Sequence, residues 1–237
     1  MKIPLTQYGL PQAAVYPAVL IAAMAGYYIL ANRLLQPACA CPAGILLVWL
    51  PEVMLFAVLI WVLSFFRDPP RTIVQDARLL LSPADGTVMA VEELPGFEGF
   101  DGPVLRVEIF LSIFNVHINR MPCRVQVGTI HYKPGQFLDA RNPQCSKVNE
   151  ANEIELFRLD DPKDRLLVRQ ISGAIARRIV CDAATGRQYP AGEKFGMIKF
   201  GSCTELYVPA RSNLVCMVKK GDKVKAGLTI IARYQEC

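Results

Sequence analysis

Residues 195–209 read Phe-Gly-Met-Ile-Lys-Phe-Gly-Ser-Cys-Thr-Glu-Leu-Tyr-Val-Pro and place a Gly201-Ser202 step directly before a strand-like run. Glycine and serine are ordinary turn residues, and a turn is the expected structure ahead of a strand. The step could also carry chemistry, because the hydroxyl of Ser202 follows the carbonyl group of Gly201 along the chain. The rest of the sequence has to decide between a turn and a reactive site.

The segments around this step, from about residue 80 onward, are short apolar alternations separated by Gly, Pro, Asn and Asp. A period of two is typical of strands. The predicted strands are Thr87–Glu92, Val104–Phe110, Arg124–His131, Ile154–Leu159, Leu166–Ile171, Ala174–Val180, Glu205–Val208 and Leu228–Arg233. Few segments show a helical period, so the sequence predicts a mainly β domain of many short strands.

The C-terminal segment Met217–Ile231 contains a Lys-Gly-Asp-x-Val-x-x-Gly turn that leads into a strand. It resembles the hairpins of biotinyl and lipoyl carrier folds and of other barrel-sandwich domains. No lysine stands in the Met-Lys-Met setting of a carrier, so we interpret the turn as a signature of the fold. The predicted β domain is therefore barrel-sandwich-like.

The N-terminal part of the chain is strongly apolar. Ala13–Ala31 has no charged residue, and Gly44–Phe66 is apolar apart from an interruption at Pro51 and Glu52. Each run is long enough to cross a hydrocarbon core of about 30 Å as a helix. A signal peptide would be shorter, and buried core helices would show a polar stripe. We predict an α-helical membrane hairpin over residues 1–68, spanning the bilayer or lying in one leaflet, and a β-rich domain over 69–237.

The charges favour one orientation for this hairpin. Lys2 precedes it, Arg67 and Arg71 follow it, and the connecting loop offers only Arg33. An excess of Lys and Arg marks the cytoplasmic side, so we expect the β domain on the cytoplasmic side of the cell (inner) membrane. The net charge of +5 suits a domain at an anionic membrane surface. No cluster of basic and aromatic residues predicts nucleic-acid binding.

The cysteines do not predict a metal site. None of the eight forms a Cys-x-x-Cys pair, and we expect reduced thiols in a cytoplasmic domain. They are Cys39, Cys41, Cys123, Cys145, Cys181, Cys203, Cys216 and Cys237. Only Cys203, which follows Ser202, stands where it could influence the reactive step.

The candidate catalytic residues are few. His117 lies in a polar run with Asn115, Asn119 and Arg120, and His131 is the second histidine of the chain. Asp85 lies in Ser-Pro-Ala-Asp-Gly, which on its own predicts a reverse turn ahead of a strand. Taken singly, each of these residues fits a structural role as well as a functional one.

Seven segments follow one another along the chain: Phe-Phe-Arg-Asp-Pro-Pro-Arg at 65–71, Ser-Pro-Ala-Asp-Gly at 82–86, Phe-Leu-Ser-Ile-Phe-Asn-Val-His-Ile-Asn-Arg at 110–120, Tyr-Lys-Pro-Gly-Gln-Phe-Leu-Asp-Ala at 132–140, Asn-Glu-Ala-Asn-Glu at 149–153, Ile-Ala-Arg-Arg-Ile-Val-Cys at 175–181 and Phe-Gly-Met-Ile-Lys-Phe-Gly-Ser at 195–202. Together and in this order they resemble the phosphatidylserine decarboxylases, specifically their short bacterial form. Several motifs in order are far more specific than any one of them.

The resemblance implies a self-processing lyase. The proenzyme would cut itself between Gly201 and Ser202 into chains 1–201 and 202–237, which stay associated, and Ser202 would become a pyruvoyl group. That group would decarboxylate phosphatidylserine to phosphatidylethanolamine and CO2 through a Schiff base, without metal or pyridoxal phosphate. The implied partners are the phospholipid substrate and the membrane, and a homo-oligomer stays open.

The resemblance also assigns residues. Asp85, His117 and Ser202 match the family's Asp-His-Ser processing constellation. A serine hydroxyl is a poor nucleophile without a base, so His117 would take its proton while Asp85 holds the imidazole tautomer. Larger family members carry a second histidine where Arg120 stands here. His117 could therefore serve both cleavage and decarboxylation, or a water molecule or another group could serve in the decarboxylation. The resemblance assigns no role to His131.

Other interpretations stay open at this point. A membrane-tethered, non-catalytic barrel-sandwich adaptor would explain the apolar N-terminus and the carrier-like tail. A pyruvoyl decarboxylase could act on a soluble amino acid, or on another lipid with a serine head group. On charge grounds, Arg120, Lys133 and Arg141 are candidate partners for a substrate phosphate, although each also fits a solvated surface position.

Overall fold

The computed structural model describes residues 5–35, 42–174, 178–199 and 201–235. Cys39, Cys41, Cys237 and part of the predicted strand Ala174–Val180 therefore lie outside the described residues. The chain divides into two compact units, Met1–Pro69 and Pro70–Cys237.

The first unit is a helical hairpin. Helix α1 (Gln12–Leu35) and helix α2 (Pro42–Phe65) follow a short 3₁₀ helix at Gln7–Gly9. The phenol of Tyr27 on α1 donates to the carbonyl of Leu47 on α2 at 2.6 Å, and a backbone bridge joins Leu5 to Arg67. The segments Gln12–Leu34 and Ile45–Phe65 are long and apolar enough to cross a membrane. The predicted helical hairpin is confirmed.

The second unit is built mainly from strands, which confirms the predicted fold class. Its described elements are the short helix α3 (Cys145–Val148) and the strands β1 (Leu79–Leu81), β2 (Gly86–Leu94), β3 (Val104–Leu111), β4 (Ile118–Arg120), β5 (Val125–Lys133), β6 (Ala151–Arg158), β7 (Arg165–Ile171), β8 (Ile179–Cys181), β9 (Gln188–Tyr189), β10 (Lys194–Ile198), β11 (Ser202–Pro209), β12 (Leu214–Cys216), β13 (Lys223–Val224) and β14 (Ile230–Tyr234).

The largest sheet has eight strands in the order β13-β2-β3-β11-β7-β6-β5-β9, and it curls into a half-barrel. Two three-stranded sheets, β1-β14-β12 and β4-β10-β8, accompany it. Strand β11 is central, because it pairs antiparallel with β3 on one side and with β7 on the other. The strand that begins at Ser202 is therefore held on both edges.

Strand β11 divides its side chains between the two faces of the sheet. Leu206 and Val208 belong to the largest core cluster, together with Val107 and Ile109 of β3. Residues two apart on a strand share a face, so Ser202 points to the core side of the sheet. Every residue of Ser202–Val208 is buried.

Most of the predicted strands are found with small shifts at their ends. The predicted strand Leu228–Arg233 begins later, at Ile230, because the Thr229 hydroxyl accepts from the Lys225 backbone nitrogen and holds residues 225–229 in a turn. The predicted strand Ala174–Val180 is represented by β8, which begins at Ile179.

Candidate active site

Ser202 is the first residue of β11 and is fully buried. Its hydroxyl oxygen has no hydrogen-bond partner among the described residues. A buried polar atom without a partner costs free energy and is uncommon in folded proteins. This cost is understandable if the hydroxyl is held ready for a reaction.

Gly201, directly before it, has a backbone φ of +64°, in the left-handed region that favours glycine. This conformation ends the preceding segment and turns the chain into β11. A side chain at position 201 would be strained whatever space surrounds it, although its Cβ would lie 3.8 Å from Ile113. The Gly201-Ser202 step is therefore both a turn and the location of the unpartnered hydroxyl.

His117 lies beside this step. The backbone N–H of Gly201 donates to Nε2 of His117 at 3.4 Å, and Nδ1 of the same ring lies 3.0 Å from the carbonyl oxygen of Asn115. A carbonyl oxygen can only accept, so Nδ1 carries the proton and Nε2 presents a lone pair to Gly201. The imidazole is completely buried, at 0% exposure. The structure therefore brings a basic nitrogen to the residue whose carbonyl precedes Ser202.

The carboxylate of Asp85 is bound by Arg71 and by the backbone of Ala226. Its two carboxylate oxygens accept from Arg71 at 2.6 and 2.8 Å, and one of them also accepts from the backbone nitrogen of Ala226 at 2.8 Å. Arg71 donates in addition to the carbonyl oxygen of Ala226 at 2.6 Å. At Nδ1 of His117, where a catalytic triad would have an acidic side chain, the structure has the backbone carbonyl of Asn115.

The turn that carries Asp85 is bonded to the strand that follows His117. The carbonyl oxygen of Pro83 accepts from the backbone nitrogen of Arg120 at 3.0 Å and from the side-chain amide of Asn119 at 3.3 Å. Asn119 also donates to the hydroxyl of Thr204 on β11 at 3.1 Å. Hydrogen bonds thus connect the turn that carries Asp85, through β4, to the strand of Ser202.

Gly173 faces the carbonyl group of Gly201. A Cβ built on Gly173 would lie 2.1 Å from that oxygen and 3.0 Å from its carbon, which is too close for any side chain. The sequence reasoning missed Gly173, and it missed the Asn115 carbonyl as well. For Gly173, the sequence offered only the turn residues that follow the predicted strand Leu166–Ile171. The role of the Asn115 carbonyl could not be predicted, because every residue has a backbone carbonyl.

A cleft of about 340 Å³ ends at Gly201. Its walls are mostly apolar, and a charged pair lies among its lining residues. The lining residues are Phe110, Ser112, Ile113, Asp139, Ala140, Arg141, Ala174 and Gly201. The Arg141 guanidinium holds the pKa of the Asp139 carboxyl at about 2, since Arg141 donates to it from both side chain and backbone. The cleft could therefore admit a small polar head group next to the reactive step.

A buried charged cluster lies on the opposite face of β11. The Glu205 carboxylate, at 0% exposure, accepts from Arg106 of β3 at 2.9 Å and from Arg169 of β7 at 2.8 Å. The Tyr207 hydroxyl donates to the same carboxylate at 2.9 Å. A buried carboxylate needs such partners, because an isolated charge would be very costly there. Strand β11 is thus tied to both neighbouring strands by ion pairs as well as by backbone hydrogen bonds.

Cys203 shares this second face and does not compete with Ser202. Its side chain is fully buried, and burial raises the pKa of its thiol well above the usual range. Only the thiolate is a good nucleophile, so the neutral thiol is unreactive. His131 and Lys133 lie exposed on β5, and Arg120 donates to the carbonyl of Gly192 at 3.0 Å.

Across residues 5–35, 42–174, 178–199 and 201–235, no group of three or more His, Cys, Asp or Glu residues could hold a metal ion.

Comparison with known proteins identifies close relatives. The family model described as "Phosphatidylserine decarboxylase" matches residues 58–232. The chain is 42% identical over 187 residues to the "Phosphatidylserine decarboxylase proenzyme" of Carboxydothermus hydrogenoformans, covering 79% of this chain and 85% of the relative. Proteins of the same name from Symbiobacterium thermophilum and Gluconacetobacter diazotrophicus are 44% and 45% identical, over 79% and 72% of this chain and 86% and 76% of theirs.

Proposed function

The chain belongs to the phosphatidylserine decarboxylase family, and we propose that it cuts itself between Gly201 and Ser202 and carries its pyruvoyl group at residue 202. The activity of the family is the decarboxylation of phosphatidylserine to phosphatidylethanolamine and CO2, and it is the function of this chain. The remaining questions are which residues perform the cleavage and the decarboxylation.

The observation that carries the assignment of Ser202 is its buried hydroxyl, which has no hydrogen-bond partner in the part of the chain that the structure describes and lies next to a glycine in a left-handed conformation. A pyruvoyl group forms from a serine within the chain, so the group fits this position. A structural serine at the start of a strand would normally bond its hydroxyl to the backbone of the turn.

The cleavage follows from the groups around this serine. The hydroxyl oxygen of Ser202 attacks the carbonyl carbon of Gly201 while His117 takes the hydroxyl proton at Nε2. The bond between that carbon and the nitrogen of Ser202 breaks, the nitrogen takes up a proton, and an ester joins the two residues. Loss of the α-proton then expels the Gly201 carboxylate and leaves dehydroalanine, and its hydrolysis gives the pyruvoyl group and ammonia.

His117 is suited to this step by its surroundings. When Nε2 takes a proton, the positive ring keeps its Nδ1–H bond to the Asn115 carbonyl, whose oxygen carries partial negative charge. Burial removes water that would compete for the same proton. We propose that this carbonyl performs the orienting task of the third member of a catalytic triad.

We propose that Asp85 acts on the site from a distance. Through Arg71 it fixes the Ser-Pro-Ala-Asp-Gly turn, and the Pro83 carbonyl of that turn bonds to the strand that continues from His117. Asp85 would then be a positioning residue for the imidazole.

In the cut enzyme, the pyruvoyl group supplies a carbonyl that combines with the substrate amine and accepts the electrons left when CO2 departs. The cleft residues would bind the head group beside it. We assign Arg141 to a negatively charged group of the substrate, because its side chain lies at the cleft and Asp139 holds it in place. The apolar wall formed by Phe110 and Ile113 would limit water at the reacting carbon.

We further propose that the two products of cleavage stay together. The chain 202–237 would contribute β11, which lies between β3 and β7 of the larger chain. The ion pairs of Glu205 with Arg106 and Arg169 and the bonds of Ala226 to Arg71 and Asp85 would all join the two chains. The distribution of Lys and Arg favours the cytoplasmic side for this domain.

The intact mass of the purified wild-type protein beside that of Ser202→Ala tests the proposal. We expect two wild-type chains, with residues 202–237 lacking a normal amino terminus, and an uncut variant of 26.3 kDa. Release of CO2 from phosphatidylserine in detergent micelles would accompany the cut form only. A wild-type chain that stays uncut and inert would contradict the proposal and favour a membrane-tethered adaptor.

A further inference from the structure

The turn that leads into the site exposes an aromatic side chain at its tip. Phe114 is 68% exposed, which is the largest value among the large hydrophobic residues described in Pro70–Cys237. It lies in the segment Ser112–Asn115, between the end of β3 and His117. A single exposed apolar side chain is common on protein surfaces, so it is the position of Phe114 beside a cleft that makes it a candidate for an interaction surface.

The turn holds Phe114 in this position by its own hydrogen bonds. The backbone nitrogen of Asn115 donates to the Ser112 carbonyl at 2.8 Å, as in a four-residue reverse turn. The Asn115 side chain accepts from the Ser112 nitrogen at 2.9 Å, and the Ser112 hydroxyl accepts from the Phe114 nitrogen at 3.2 Å. The exposed ring therefore belongs to an ordered turn and not to a loosely held loop.

The same turn forms one side of the cleft. Ser112 and Ile113 line the cavity that ends at Gly201, and the Asn115 carbonyl orients His117. A surface that binds Phe114 would thus lie close to the place where the substrate head group must enter.

Charged and apolar groups are combined at this cleft. The Arg141 side chain, 66% exposed, lines the cleft and is ion-paired with Asp139 at 2.7 Å, and Phe137 is a second exposed aromatic residue two positions before Asp139. Aromatic rings next to cationic side chains are typical of surfaces that rest at the head-group level of an anionic bilayer.

We propose that the Ser112–Asn115 turn docks on an anionic phospholipid bilayer, with Phe114 inserted at the head-group boundary, so that a lipid head group enters the cleft without leaving the membrane. This inference rests on the proposed function, because it takes the substrate to be a bilayer phospholipid. It adds a substrate-presenting surface within the β domain.

A comparison of two substrates tests the docking. The full-length wild type, Phe114→Ser and the control Phe157→Ser are reconstituted in phosphatidylcholine vesicles, and each is assayed with long-chain phosphatidylserine in the bilayer or with dissolved dihexanoyl phosphatidylserine. Phe157 is 44% exposed but pairs with Arg165, at the end of the sheet away from Ser202. We expect Phe114→Ser to lose about tenfold on the bilayer substrate and to retain its activity on the dissolved one.

A second measurement does not depend on activity. In Phe114→Trp, the introduced indole should be quenched by brominated phospholipids, after subtraction of the wild-type signal from Trp49 and Trp61. Water-like emission without quenching, or equal loss on both substrates in Phe114→Ser, would overturn the docking proposal. A wild type that is uncut or inert on both substrates would instead contradict the proposed function, while the quenching result would still decide the docking.

Discussion

The carbonyl oxygen of Gly201 lies against the α-carbon of Gly173, where a Cβ would approach it to 2.1 Å. The register of β11 with β7 pairs Cys203 with Ile171, so Gly201 and Gly173 stand opposite each other just beyond the paired residues. The carbon that Ser202 would attack in the proposed cleavage is therefore positioned by the backbone of a residue without a side chain.

This contact predicts that Gly173→Ala blocks the first step of cleavage. A methyl group at residue 173 would push the Gly201 carbonyl away from the Ser202 hydroxyl, and small misplacements of reacting groups cost large factors in rate. We expect a folded proenzyme that stays uncut. Hydroxylamine cleaves esters, so it should not release the smaller chain if the ester has never formed.

The control is a glycine with a similar steric conflict elsewhere. A Cβ on Gly128 of β5 would lie 2.5 Å from a Glu155 carboxylate oxygen and 2.7 Å from the Phe157 ring, at the end of the sheet away from Ser202. Gly128→Ala should therefore lower stability and still be cut. Cleavage of Gly173→Ala at the wild-type rate, measured on a denaturing gel over time, would show that the Gly201 carbonyl does not depend on this contact.

His117 is predicted to act as the base for cleavage. Because Nδ1 carries the proton, Nε2 is the ring nitrogen that can accept one, and a glutamine at residue 117 would fill similar space without accepting the proton of Ser202. A positioned general base contributes about 10² to 10⁴ in rate, so His117→Gln should be cut slower by a factor in that range. Time courses of chain cleavage measure this directly.

The second histidine provides a matched comparison. His131 is exposed on β5, and His131→Gln should be cut at the wild-type rate. Equal slowing in both variants would indicate a general effect on the fold and would contradict the role of His117 as the base.

Asp85 and Arg71 are predicted to behave as one unit. Breaking a buried ion pair on one side typically costs about 3–5 kcal/mol of stability, because the other charge is left unpaired. We expect Asp85→Asn and Arg71→Met to lower the free energy of unfolding and the cleavage rate to similar extents. A folded Asp85→Asn protein that is uncut, beside an Arg71→Met protein that is cut, would place Asp85 in direct contact with His117 during the reaction.

The long strands could be predicted from the sequence, because alternation over six or more residues is a reliable sign of a half-buried strand. The strand β11 was predicted from Glu205–Val208 and begins three residues earlier, at Ser202. Short strands such as β4 and β13 contain too few residues to show a period, and only their pairing in the fold defines them.

The candidate site was predictable to the extent that it consists of rare side chains in recognisable motifs. His117 lies beside the Gly201-Ser202 step because β3, the turn after it and β11 are neighbours, and the N–H of Gly201 donates to its Nε2. The Asn115 carbonyl and the Gly173 backbone could not be found in this way, since backbone atoms have no sequence identity. The partner of Asp85 was also missed, because the sequence contains many arginines and only the fold brings Arg71 into contact with Asp85.

Glu108 is predicted to make stability depend on pH. Burial raises the pKa of its carboxyl above 4.5, in spite of Arg106 at 3.2 Å. A folded pKa above the unfolded one means that the contribution to stability is fully present below about pH 4.5 and is lost as pH rises through the folded pKa. Glu108→Gln should thus raise the melting temperature at pH 8 and give no advantage at pH 4.5. Parallel melting curves of both proteins at every pH would contradict this.

Glu205 is predicted to hold the smaller chain after cleavage. Removing it leaves Arg106 and Arg169 partly buried without their shared carboxylate, so Glu205→Ala should lose about 3–5 kcal/mol of stability. The cut enzyme should then release residues 202–237 in dilute denaturant at concentrations where the wild type stays intact. Size-exclusion chromatography followed by mass spectrometry would detect the free chain.

Glu92 offers a control on the same arginine. It pairs with Arg106 at 3.0 Å, but its side chain is 50% exposed. Exposed ion pairs typically contribute about 0–1 kcal/mol, so Glu92→Ala should leave the two chains associated. If both variants released the smaller chain equally, the net charge around Arg106 would matter more than the buried position of Glu205. If neither did, the backbone hydrogen bonds of β11 to β3 and β7 would be sufficient to hold the chains together.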